Sequence, residues 1–299
     1  MEDKIKPEAS IIIPSRDGYR DGNVPNLLKD LKKQDFNCFE IIIVINASPC
    51  GRAHNIGVKK ASTENIIFMD DDVRLRDNNL VSKLVEFISK SEIGICGASQ
   101  NIPPDSNRFQ RQCAAQISRA EFPEVKEFTE TDMATHACMA IKKETYEQTG
   151  GEPGEMFRND DSYLRYKVKS KGLKTGVIPR AVVYHPMPEN FLQFLKMNFN
   201  NGKYYSYDYQ YYSEFILYNP TDEQEELEKS NFLRQVFRNF RILGKGIIKG
   251  EYIVFLGRIS MWTGVLFGFF LKRSYFEKQK KEQNKIKKYF KKRKKLISF

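Results

Sequence analysis

Short apolar runs separated by amphipathic stretches dominate the first half of the chain. Residues 10–14 (SIIIP), 40–45 (EIIIVI), 65–69 (NIIFM) and 93–98 (IGICGA) are rich in β-branched side chains and bounded by turn residues. Such unbroken runs suit strands covered on both faces. Between them the apolar positions recur at helical spacing. Leu27, Leu28 and Leu31 mark a short helix, residues 53–61 a second, and residues 79–89 a third, with Leu80, Val81, Leu84, Val85 and Ile88 on one face. This alternation predicts an α/β fold: a Rossmann-like, mostly parallel sheet with helices on both faces. The pattern weakens from 100 to 135, as in a mobile or ligand-facing segment. It resumes with a strand at 137–141, a turn at Gly150 and Gly151, a helix over 160–170 ending at Gly172, and an extended stretch at 177–184.

Beyond Pro188 the character changes, and three parts are expected: 1–190, an aromatic-rich connection over 191–230, and a C-terminal helical region over 231–299. Residues 204–212 hold six tyrosines in nine positions, suited to stacking on a ligand, to an interface, or to core packing. Residues 232–249 place Leu233, Val236, Phe237, Phe240, Leu243 and Ile247 on one helical face and five basic residues on another. That is the pattern of an amphipathic helix lying in a membrane interface, though a helix packed on the body with a solvated basic face gives it too. Residues 252–271 are apolar apart from Arg258. Their uninterrupted part, 259–271, would span ~20 Å as a helix, short of a ~30 Å hydrocarbon core. An interfacial or re-entrant helix pair is the first expectation, a single crossing the second.

Charge sharpens this picture. The 299-residue chain carries a formal net charge of +11. Residues 272–295 contain 13 Lys or Arg and 2 Asp or Glu, so the tail accounts for all of the excess. A neutral body with a basic arm argues for an anionic membrane surface as partner and against a nucleic-acid-binding body. An apolar content of 40% excludes wholesale disorder. Five irregularly spaced cysteines favour a reducing compartment over a disulfide framework, and residues 1–7 lack the apolar core of a secretory signal. Together these place the protein on the cytoplasmic side of a membrane, peripheral or monotopic.

The chemistry concentrates at strand ends. Asp70, Asp71 and Asp72 directly follow the run NIIFM. Ligands bind at such strand ends in open parallel sheets. Three adjacent carboxylates repel one another unless solvated or shared with a cation, so a hard divalent metal, Mn2+ or Mg2+, fits there, particularly beside a diphosphate; a solvated acidic turn is the competing explanation. Asp160 and Asp161 open a helical segment, where carboxylates serve as caps or as a general base on a hydroxyl. His185 ends the run RAVVY and could face the same metal.

Taken in order, these pieces resemble the family 2 glycosyltransferases with the GT-A fold, over roughly residues 8–190. The likeness runs through SIIIPSRD (10–17), EIIIVINAS (40–48), GRAHNIGVKKAS (51–62), FMDDDV (68–73), residues 140–143 with Gly150 and Gly151, DDSYLRYKVKSKG (160–172) and AVVYH (181–185). It departs where the family commonly has an Asp pair, here Ile45 and Asn46, and where it commonly has Arg, here His54. The resemblance implies an inverting transfer from a nucleotide-sugar donor to a glycan or lipid-linked acceptor. It implies donor contacts from Pro14, Ser15, Arg16, Asp17, Asn46, Arg52, Asn55, Asp70 and Asp71, and metal ligands in Asp70, Asp72 and His185. It makes Asp161 the catalytic base, with Asp160 and His136 on the acceptor side. Two alternatives stay open on the residues alone: a nucleotidyltransferase-like enzyme on a similar sheet, disfavoured by the poor glycine spacing of SRDGYRDG, and a non-enzymatic membrane adaptor driven by the tail.

Overall fold

The computed structural model describes residues 6–213 except 118 and 159, residue 244, and residues 250–272. The amphipathic stretch at 232–249, except residue 244, the polar connection at 221–230 and nearly all of the basic tail lie outside the described residues.

Among the described residues, eight strands form one sheet: β1 (Ala9–Ser15), β2 (Phe39–Ile45), β3 (Asn65–Met69), β4 (Arg74–Leu75), β5 (Ile93–Asn101), β6 (Thr129–Glu130), β7 (Cys138–Lys142) and β8 (Lys174–Tyr184). The order is β2-β1-β3-β7-β5-β8-β4, with β6 also on β8. Pairs β1–β2, β1–β3 and β5–β8 are parallel, whereas β7 runs antiparallel between β3 and β5. The α/β class therefore stands, and within it the sheet is mixed.

Each apolar run is buried from both sides. Ile11 and Ile13 pack with Leu27 and Leu31 of α1 (Asn23–Leu31) and Leu80 and Leu84 of α3 (Leu80–Ile88). Ile12 points the other way, to Ala53 and Val58 of α2 (Cys50–Lys60) and, through the same cluster, to Leu164 and Val168 of α6 (Asp160–Lys169). The period of two along a strand requires this division. Each fully buried isoleucine contributes about 1.5–3 kcal/mol. Gly57 lets α2 lie directly on β1: a Cβ there would come within 2.3 Å of Ile12 Cγ2.

The weakly patterned stretch contains α4 (Arg108–Gln116), whose N-terminus is closed by a reciprocal capping box between Asn107 and Gln110. The short α5 (Lys143–Gln148) follows β7. The tyrosine-rich segment belongs to a 21-residue helix, α7 (Phe191–Tyr211), with Asn190 as N-cap. It packs along α8 (Tyr252–Phe269) at glycine-limited distance. A Cβ on Gly202 would meet Met261 O at 1.9 Å, and one on Gly264 would meet Phe199 O at 2.0 Å. Tyr252 and Ile253 anchor the start of α8 to Gln112 and Gln116 of α4. Among the described residues α8 is the one helix long and apolar enough to cross a membrane by length and composition, and little of it is buried.

Candidate active site

The first acidic group is assembled by strand pairing. β3 delivers Asp70 at its end. The chain then turns, with Val73 N donating to Asp70 O, and β4 pairs antiparallel with β8, Arg74 opposite Tyr184. This folds Asp72 back against the residue after β8, His185, whose amide is held by Asn101 O. His185 Nε2 lies 3.4 Å from Asp72 Oδ1 and 3.9 Å from Asp70 Oδ2, and one ligand atom from each of the three falls within 4.8 Å of the others. Two hard carboxylates and an imidazole suit a divalent cation such as Mn2+. Burial, followed by the Asp72 charge, pushes the Asp70 carboxyl up.

Asp71 is differently placed. It is buried and accepts from Arg20 Nη1 at 2.6 Å, while Arg20 Nη2 donates to Asp72 at 2.9 Å. Arg20 was not a candidate from the sequence. It reaches across because Asp17 accepts the amides of Tyr19 and Arg20 and turns the loop after β1 back toward β3. Ser15 accepts from Gly18 N in the same turn, and Arg16 is exposed beside Asp17. Asn46 sits across from this loop at φ +58°, its amide on Ser15 O.

Arg52 and Asn55 face the loop before α6. Arg52 pairs with Glu155. Both amide atoms of Asn55 are engaged there: Nδ2 donates to Glu152 O, and Oδ1 accepts from Tyr146 and from Glu152 N. Gly151, at φ +73°, leaves the room, since a Cβ would come within 2.5 Å of Asn55 Oδ1.

This loop carries Glu152, the center of a buried bridge absent from the sequence reading. His54 Nδ1 lies 2.8 Å from one oxygen and His136 Nε2 2.7 Å from the other, with the two rings 4.2 Å apart. Against the cost of burial, His136 and His54 hold the Glu152 carboxyl well below the usual range. Burial alone would lower the His136 imidazole, but Glu152 outweighs it and raises it to about 10. Asp160 adjoins the bridge, so these four form a second group whose ligand atoms lie within 4.8 Å of one another. Here both imidazole nitrogens facing Glu152 are engaged by its oxygens, so the arrangement is closed by its own hydrogen bonds.

The acidic pair at the start of α6 is asymmetric. Burial raises Asp160 to about 6. Burial also pushes Asp161 up, but Arg165, at 3.0 Å, and the Ser162 amide, at 2.7 Å, outweigh it and hold its carboxyl low. Cys50, at the start of α2, feels the charge of both Asp160 and Asp70, and burial lifts its thiol well above its ordinary value. The structure thus gathers the strand-end carboxylates, His185, His136 and the acidic pair around one region.

Residues 50–150 match the family described as glycosyl transferase family 2. No curated protein matches the chain. Among solved structures, the mannosyltransferase PcManGT from Pyrobaculum calidifontis, in complex with GDP-Man and Mn2+, is similar in fold, with TM-score 0.57 and 12% identity, covering 89% of this chain and 88% of that one. TarS 1-349 from S. aureus in complex with UDP overlays at TM-score 0.46 and 12% identity, covering 90% and 91%.

Proposed function

We propose that this chain, a family 2 glycosyltransferase with a GT-A-like fold, transfers a sugar with inversion from a nucleotide-diphosphate sugar to a hydroxyl of a glycan or lipid-linked acceptor at a membrane surface. One observation carries the reading: a hard-ligand group (Asp70, Asp72, His185) and an acidic pair (Asp160, Asp161) of divided ionisation lie close enough to the same buried histidine, His136, for its charge to act on Asp70 and on both members of the pair.

A divalent cation held by Asp70, Asp72 and His185 would neutralise the charge developing on the leaving diphosphate. The loop of Pro14, Ser15, Arg16 and Asp17, together with Asn46 and Asp71, lines the donor side, and Arg52 and Asn55 shape it through the Glu152 loop. Asp161 takes the proton of the acceptor hydroxyl. A base must be ionised when the acceptor arrives, and the Arg165 ion pair keeps it so. The same pairing makes it a weak base, so the proton moves late, once bonding to the anomeric carbon has made the hydroxyl acidic. Asp160 lies on the acceptor side, and the buried His136 acts on it through its charge rather than by touching the acceptor.

The groups that touch the substrates belong to residues 1–190, with 191–230 as the connecting part that begins with α7 and 231–299 as the membrane-associating part. The helix pair α7–α8 exposes Leu192, Leu266, Phe267 and Phe270, and the basic tail starts directly after it. Apolar insertion and attraction to anionic head groups then add on the cytoplasmic face.

The test is a panel of nucleotide sugars with Mn2+, Mg2+ or excess chelator, read as donor hydrolysis and transfer. Activity is expected with metal and absent with chelator or in Asp72→Ala. Full activity in chelator would refute the metal assignment, and no turnover of any nucleotide sugar would refute the function.

A further inference from the structure

One face of α7 grips the chain just before the acidic pair. Asp208 is fully buried, and its carboxylate accepts the amide hydrogens of Phe157, at 3.1 Å from each oxygen, and Arg158, at 2.9 Å. The Phe157 ring lies flat on Tyr204, centroids 4.7 Å apart, and edge-on to Tyr207. Arg158 Nη1 donates to Asn201 at 2.7 Å. Residues 201, 204 and 208 stand three and four apart, so they share one helical face. Two consecutive backbone amides and both side chains are thereby fixed to a single rigid element. A buried carboxylate is costly unless its oxygens are hydrogen-bonded. Burial drives the Asp208 carboxyl up to about 7 even with both amide bonds pulling the other way. Core packing alone would be served by an apolar side chain.

We propose that Asp208 is a positioning residue for the reaction: by holding Phe157 and Arg158, it sets where α6 begins and hence where Asp160 and Asp161 stand relative to the acceptor. The proposal rests on the reading of that pair as the acceptor-side acids. It also gives α7 two roles, since the helix packs on α8 while holding the catalytic loop. A misplacement of ~1 Å in such a group can lower the rate by ~10²-fold.

The experiment compares Asp208→Ala and Asp208→Asn with the unaltered chain, each as the full-length protein in detergent. Hydrogen exchange is followed for peptides covering residues 157–164 and, as control, residues 68–75. Binding of Mn2+ with GDP or UDP is measured by calorimetry, and kcat is measured with whichever nucleotide sugar turns over. In Asp208→Ala, exchange at 157–164 is expected to accelerate and kcat to fall on the order of 10²-fold, with nucleotide affinity within about two-fold. Asp208→Asn, isosteric and with one accepting oxygen left, should lie between, and it carries the test if the alanine variant does not fold. Unchanged exchange at 157–164 overturns the proposal, as does faster exchange with kcat within about two-fold of the unaltered chain. If no nucleotide sugar turns over in the unaltered chain, the functional reading fails and the catalytic role of Asp208 falls with it, while the exchange data separately establish whether the clamp exists.

Discussion

Replacing Glu152 should destabilise the protein more than any other single change at the site. Its side chain is fully buried and accepts from His54 and His136, so Glu152→Ala leaves two buried imidazoles without their acceptor and the His136 charge without a partner. Removing one member of a buried ion pair costs about 3–5 kcal/mol. For a chain of this size each kcal/mol moves the melting temperature by ~2–4 °C, so a loss of roughly 6–20 °C is expected. Glu152→Gln keeps the shape and can accept from one histidine while donating to the other. His136 then becomes neutral, and the loss should be nearer 1–3 kcal/mol. The pH dependence gives an independent signature. His136 rises from an ordinary 6.5 to about 10 in the folded state. Between those values the folded chain holds more protons than the unfolded one, so this contribution is complete below about 6.5, declines as pH rises, and is gone above about 10. Thermal unfolding followed by circular dichroism across that window should show the decline in the unaltered protein and not in either variant. A melting point for Glu152→Ala within about 2 °C of the original, or an undiminished slope, would refute the reasoning.

Asp161→Asn should leave Mn2+–nucleotide binding intact in calorimetry while transfer falls by ~10²–10⁴-fold; an inactive Asp160→Asn beside an active Asp161→Asn would move the base by one position. Gly264→Leu should separate α7 from α8, because even a Cβ there meets Phe199 O at 2.0 Å; limited proteolysis should then cut within 191–211 much faster than in the unaltered chain. Deleting residues 272–299 should weaken flotation with anionic vesicles and reduce its salt sensitivity, with residual binding to neutral lipid; equal flotation with and without the tail would exclude a charge contribution.

The sequence alone determined the elements that depend on local pattern. Short, β-branched runs such as residues 10–14 and 65–69 favour a strand buried on both faces, and the three apolar helix faces followed from spacing. The motif likeness pointed to family 2, and the strand-end acids and His185 stood out because their position after apolar runs is itself local information. What it could not determine was pairing. The antiparallel placement of β7 between β3 and β5 depends on a competition among partners far apart in the chain, which no residue within 138–142 encodes. The tyrosine cluster became a helix because α7 has both the body and α8 to pack on. The site divides in the same way. His54 and Glu152 are separated by 98 positions, and Arg20 and Asp71 by 51, so neither pair has a sequence signal. Only tertiary structure could decide that Asp160 rises while its neighbour Asp161 falls: the residues are chemically identical, and the difference lies in burial, in the Arg165 guanidinium one helical turn away, and in the buried bridge brought to them by the fold.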